Sequence, residues 1–156
     1  LVEMQQLETE IRNISHNMLN EVFTTETLYI RTIEKMLKKW GKQGGLKIEF
    51  KIDQREIWEG LDNYFKANVY KIMEEALHNA AEHSQAKLVI VNLAIAEGVG
   101  RISIIDDGRG FIKRFPQQGI GIKNMKSRTK KLGGKFLIDS VQNKGTKIYI
   151  QIPIKV

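Results

Sequence analysis

The sequence predicts an α+β two-layer sandwich, one mixed sheet with helices on one of its faces. Two observations carry that prediction. Stretches with apolar residues at helical spacing interleave with stretches that alternate or are rich in β-branched residues. From residue 46 onward the order is β, α, β, β, loop, α, β, β, and short glycine-bearing turns make each β, β pair an antiparallel hairpin. One or two helical patterns precede residue 46. At 156 residues the chain is long enough for one domain with a real core.

Each element has a local reason. Residues 1–20 read as an amphipathic helix, with Leu7, Ile11, Ile14 and Met18 spaced by four and three. Residues 25–40 read as a second, with Leu28, Ile33, Met36, Leu37 and Trp40 inward. Thr24 or Thr25 would cap it, and Gly41, Gly44 and Gly45 would stop it. Residues 46–52 alternate strictly and form a half-buried strand. In 53–65, Trp58, Leu61, Tyr64 and Phe65 would pack on the core from a short helix. A long helix follows from about Lys66 to Ser84, with a stripe of Val69, Ile72, Met73, Ala76, Leu77 and Ala80. Residues 87–95 and 101–105 form a hairpin broken by Gly98 and Gly100. Residues 111–118 have no periodicity and contain Pro116, so they read as a loop. Gly119-Ile120-Gly121 opens a helix that ends at Gly133-Gly134. Residues 135–141 and 146–153 close a hairpin around Asn143-Lys144-Gly145. The far face of the sheet stays partly open unless the N-terminal helices or a partner cover it.

Composition narrows the function classes. Apolar content of 42% with 28% charged residues describes a soluble globular protein. No apolar run reaches membrane-spanning length, and the first residues are no signal peptide. Cysteine is absent, which excludes disulfides and thiolate metal sites and fits a reducing, cytoplasmic setting. The net charge of +7 suits polyanions: nucleic acid, acidic lipid or nucleotide phosphates. From Lys113 to Lys135 there are eight cations and no acid, around a glycine-rich stretch. The chain does not begin with Met, and we expect it to be an excised piece of a longer protein.

Four motifs carry the chemistry. Glu75 and Asn79 lie one helical turn apart, off the apolar stripe, with His83 a turn further on. Their oxygens suit Mg²⁺, a hard cation that keeps waters and takes substrate phosphates. Asp106-x-Gly108-x-Gly110 follows a strand, where a carboxylate can accept from an amine in a buried slot and the glycines let a ligand reach the main chain. Gly119-x-Gly121 precedes a helix whose free N–H groups and dipole make a phosphate seat, with Lys123 and Lys126 near. Gly145-Thr146 opens the last strand.

In that order, Asn79, Asp106-x-Gly108-x-Gly110, Gly119-x-Gly121 and Gly145-Thr146 resemble the asparagine box and three glycine boxes of the GHKL superfamily of ATP-binding proteins. Glu75-Ala-Leu-His-Asn79-Ala-Ala-Glu-His83, Gly119-Ile-Gly-Ile-Lys-Asn124-Met125-Lys-Ser-Arg128 and Leu132-Gly133-Gly134 look most like the catalytic domain of nitrate-sensor-like bacterial sensor histidine kinases. The resemblance covers roughly residues 46–156, leaving 1–45 as the end of a dimerisation hairpin and its linker helices. It implies a Bergerat-type ATP fold and a histidine kinase of a two-component system, with ATP and Mg as cofactors. Asn79 would hold the Mg²⁺, and Asp106 would read the adenine amino group. Gly108 and Gly110 would let the nucleotide lie on the backbone. Residues 111–118 would be a short lid hinged at Gly119 and Gly121, with Lys123 near the phosphates and Thr146 near the adenine. Glu75 matches a position that is a water-activating base in the ATPases and also occurs in kinases. One residue departs from the pattern: the family usually has Lys where this chain has Glu82.

His16 does not match a phosphoacceptor, because Asn17 follows it where this branch has Asp. Only about 30 residues separate it from residue 46, too few for two long helices. Arg12-x-x-Ser15-His16-x-Met18 looks instead like the end of the second hairpin helix. The expected function is therefore γ-phosphoryl transfer to a histidine outside these residues. The expected partners are the phosphoacceptor helices of a homodimeric parent, which can be membrane-anchored, and a response regulator. The alternatives are a GHKL-type ATPase or serine kinase acting on a regulatory partner, and a non-catalytic basic module. The basic stretch carries no recognised nucleic-acid motif, so nucleic acid is not expected.

Overall fold

The computed structural model describes residues 28–111 and 119–155. Helix α1 spans Tyr29–Gly44 and strand β1 Lys47–Ile52. A short helix α2, Arg55–Gly60, and a long helix α3, Asn63–Glu82, follow. The hairpin β2, Leu88–Ala96, and β3, Val99–Asp106, leads to helix α4, Ile120–Lys131. Strands β4, Lys135–Val141, and β5, Gly145–Pro153, close the fold.

The five strands lie in the order β1-β2-β3-β5-β4. Only β1 and β2 run parallel, because α2 and α3 intervene and return the chain to the same end. The other pairings are antiparallel. Alternation sends Val89, Val91, Leu93 and Ile95 of β2 and Ile148, Ile150 and Ile152 of β5 into the core. Tyr29, Ile30, Ile33, Met36 and Leu37 of α1 and Val69, Ile72, Met73 and Leu77 of α3 close over them. α3 packs between α1 and α4. On the opposite face Leu137 and Tyr149 stand side by side and remain 61% and 37% exposed, so among the described residues that face is partly open.

Differences from the sequence expectation lie at element ends. The second helical pattern runs to Gly44, and Gly45 takes the left-handed conformation that ends it. Helix α3 begins earlier, because the Asp62 carboxylate accepts from the Phe65 amide and caps it. Gly100 does not break the hairpin but lies within β3, facing Ile152. The helix expected over residues 1–20, and all but Phe111 of the loop expected over 111–118, lie outside the described residues.

Helix α1 has no local cap at Leu28. Instead, both oxygens of the Glu59 carboxylate accept from the Tyr29 and Ile30 amides, at 2.7 and 2.9 Å. Burial and the Glu59 charge together push the Tyr29 phenol far above its usual range. Its hydroxyl donates to the Lys66 carbonyl, which fastens the start of α1 to α3. Among the described residues, no helix is long and apolar enough to cross a membrane.

Candidate functional site

The C-terminal half of α3, the end of β3, the start of α4 and the β4–β5 hairpin enclose a cavity of about 470 Å³. Glu75 and Asn79 line it, as do Asp106, Gly110, Gly119, Gly121 and Thr146. These residues come from four elements up to 71 positions apart, and the topology gathers them at one end of the sheet. Met125, Ile138 and Ile148 supply apolar wall.

Two expected residues stand apart from the lining. Gly108 shapes the turn: its amide donates to Asp106 Oδ1 at 2.9 Å, and a Cβ there would sit 2.4 Å from the Ser84 carbonyl oxygen. Lys123 is exposed in the first turn of α4, outside the cavity wall. His78 lines the cavity together with Asn79. Residues 75, 78, 79 and 82 fall at helical spacings of three and four, so His78 shares the flank that Glu75 and Asn79 occupy.

Asp106 is the polar centre at the sheet end. Burial raises its carboxyl above the ordinary range, while hydrogen bonds from the Gly108 and Thr146 amides and the Ser84 hydroxyl pull it down. The balance leaves an acceptor that a ligand amine would relieve. Asp107 does the opposite, structural job. Its Oδ1 accepts from the Lys87 and Leu88 amides at 2.8 and 2.9 Å, which starts β2 and holds its carboxyl below the usual range.

The glycine turn is fastened from both sides. The Arg109 amide donates to the Ser84 carbonyl at 2.7 Å, and its Nε donates to the His83 carbonyl at 2.8 Å. These bonds tie the turn to the end of α3. On the other side, Ser140 Oγ accepts from the Phe111 amide and shares a 2.9 Å hydrogen bond with Thr146 Oγ1. Arg109 and Ser140 were missed from sequence. Arg109 stands inside a quoted motif, so its place was available; Ser140, a lone serine in a strand, carried no signal.

Gly121 abuts Glu75 directly: a Cβ at position 121 would lie 1.9 Å from Glu75 Oε1. Among the described residues, the first turn of α4 has no acid and no side-chain cap, an arrangement that suits an anion at this helix end. No group of three His, Cys, Asp or Glu side chains that could hold a metal occurs among the described residues. Glu75 and Asn79 together supply only part of a coordination shell. That fits Mg²⁺, which takes one or two protein oxygens and completes its octahedron with water and phosphate. The arrangement therefore suits a ligand with an amine-bearing planar end at Asp106 and a polyanionic end toward Asn79 and α4.

Comparison with known proteins agrees with this geometry. Residues 66–156 match the family described as histidine kinase-, DNA gyrase B-, and HSP90-like ATPase. The sensor histidine kinase LiaS of Bacillus subtilis is 32% identical over 123 residues, which cover 78% of this chain and 33% of that protein. The sensor histidine kinase YhcY of the same organism is 32% identical over 161 residues, covering 97% of this chain and 41% of that protein. The chain thus spans about a third to two fifths of these relatives' length. Among solved structures, the catalytic domain of histidine kinase ThkA superposes with a TM-score of 0.63 at 15% identity, covering 80% of this chain and 90% of that one. The blue-light activated histidine kinase of Erythrobacter litoralis EL346 gives 0.64 at 18% identity, covering 78% and 40%. At such identities the structures show the shared fold.

Proposed function

The chain belongs to the histidine kinase-, DNA gyrase B-, and HSP90-like ATPase family, and from that premise we propose that it is the ATP-binding catalytic part of a sensor histidine kinase. The observation that carries this reading is the convergence of Asn79, Asp106 and the α4 N-terminus on one cavity.

Asp106 accepts from the adenine amino group, a further donor that favours the charged form of a half-buried carboxylate at the cavity wall. Thr146, held by Ser140, forms the wall beside it. Asn79 would hold Mg²⁺, and Glu75 stands one turn away. When bound, the ion neutralises phosphate charge during transfer. The Gly119–Gly121 stretch at the α4 N-terminus presents its amides to the phosphates, and Lys123 adds positive charge at the rim. Glu75, against Gly121, orients or deprotonates the attacking group. The chain's contribution to catalysis is thus placement and electrostatics.

The phosphoacceptor histidine lies outside these residues, on a dimerisation hairpin of a homodimeric cytoplasmic or membrane-anchored parent. Residues 1–45 are the end of that hairpin and its linker, with α1 docked on the catalytic domain of residues 46–156. A response regulator receives the phosphoryl group. The test is incubation with γ-labelled ATP and Mg²⁺. The 156-residue chain alone should stay unlabelled, and a separately supplied hairpin carrying the phosphoacceptor should become labelled. Robust labelling of His16 in the isolated chain would overturn this assignment.

A further inference from the structure

The phosphoryl-transfer reading leaves two imidazoles of the cavity wall without a task. His78 and His83 both line the cavity. Their rings meet edge to face, with centroids 5.7 Å apart and planes at 87°. His78 also meets Trp40 of α1, with centroids 5.7 Å apart and planes at 65°. A row of three rings therefore runs from α1 across α3 to the cavity. Trp40 itself does not line the cavity.

Edge-to-face ring pairs are directional, because the positive ring edge seeks the negative face of its neighbour. Each contact narrows the rotamers of the side chains that make it. His83 needs this help. It is exposed and sits at the C-cap of α3, past the last regular turn, where an isolated imidazole would sample several rotamers. His78, half-buried, has a fixed neighbour in Trp40, which rides on a helix fastened by Glu59 and Tyr29.

We propose that Trp40 and His78 are positioning residues: they hold the His83 ring in place as a wall of the nucleotide cavity and so couple the seating of α1 on α3 to nucleotide affinity. The proposal rests on the reading that this cavity takes ATP. Coupling of this kind is reciprocal, so nucleotide must also strengthen the docking of α1. Whatever shifts α1, the helix that receives the chain from residues 1–27, then changes nucleotide binding without touching the ligand.

The experiment titrates the 156-residue chain with ATP and Mg²⁺, read by calorimetry and by tryptophan emission. The chain has two tryptophans, and Trp58 is fully buried, so Trp40→Phe isolates the Trp40 signal. Wild-type emission should change on saturation and the change should vanish in Trp40→Phe. Trp40→Ala should weaken ATP binding about three- to tenfold, the range expected for losing one ring pair. Trp40→Phe, which keeps a ring, should restore wild-type affinity, and hydrogen exchange of the α1 amides should slow with nucleotide. Wild-type affinity in Trp40→Ala, equal losses in the Ala and Phe variants, or a Trp40 emission silent to ATP would each overturn the coupling. Trp40 emission is read on the unmutated chain and does not depend on the Ala variant folding. Absence of ATP binding by calorimetry in the wild type would instead overturn the reading of the site, and the coupling with it.

Discussion

Gly121→Ala is predicted to leave the fold and nucleotide binding nearly intact while crippling transfer. A Cβ at position 121 would lie 1.9 Å from Glu75 Oε1 and 2.7 Å from its Cδ. Ordinary contact begins near 3.4 Å, so the carboxylate must retreat by about 1.5 Å. The obstacle is the far end of a flexible side chain, and alanine favours a helix over glycine by up to about 1 kcal/mol. Unfolding free energy should therefore change by no more than about 1 kcal/mol. Misplacing a reacting group by about 1 Å costs on the order of 10²-fold in rate. The expected result is ATP affinity within about threefold of wild type by calorimetry, and phosphoryl transfer in the full-length protein slowed about 10²-fold. Glu75→Gln combined with Gly121→Ala should be no slower than Glu75→Gln alone, because both act on one carboxylate. Gly110→Ala supplies the contrast. There φ is +58° and the new Cβ would lie 2.2 Å from the Val141 carbonyl oxygen, a backbone atom that cannot swing aside. It should destabilise the fold by about 2 kcal/mol or more. Wild-type transfer in Gly121→Ala, or unfolding as easy as that of Gly110→Ala, would refute the reasoning.

Two further substitutions test the frame around the site. Glu59→Ala strips the Tyr29 and Ile30 amides of their acceptor and should lower stability by about 2 kcal/mol in urea denaturation; an unchanged midpoint would show that α1 does not need this cap. Asp106 has a raised folded-state pKa, so its contribution to stability is complete below the unfolded-state pKa and is lost as pH rises through the folded one. Asp106→Asn is neutral throughout, so its unfolding free energy should gain on wild type as pH climbs from about 3 to about 7, while ATP affinity falls. An Asp106→Asn variant that instead loses ground to wild type as pH rises would contradict the buried-carboxylate account.

Much of the fold is legible in the sequence because its signals are local. The apolar stripe of α3 and the alternation along β5 mark Val69, Ile72, Met73, Ala76, Leu77, Ala80, Ile148, Ile150 and Ile152, and all nine are buried in the core. The ordered glycine motifs likewise point to Asn79, Asp106, Gly119, Gly121 and Thr146, and the structure brings all five to one cavity. What stays hidden depends on contacts distant in sequence. The cap of α1 comes from Glu59, thirty positions away from Tyr29, and no local pattern announces it. Ser140 reads as an ordinary strand serine until the register sets it opposite Thr146. The Trp40 ring reads as an inward core residue, and only the crossing of α1 over α3 shows it against His78. The parallel pairing of β1 with β2 is tertiary too, set by where α2 and α3 deliver the chain.

The central claim is that Asn79 joins ATP to this cavity through Mg²⁺. The direct measurement is calorimetric titration of the wild-type chain and Asn79→Ala with ATP, each with Mg²⁺ and with excess chelator. Wild type should bind ATP with Mg²⁺ and lose most of that affinity in chelator, whereas Asn79→Ala should bind weakly in both and no longer respond to the ion. Asn79→Ala binding as tightly as wild type, with the same response to Mg²⁺, would contradict the account.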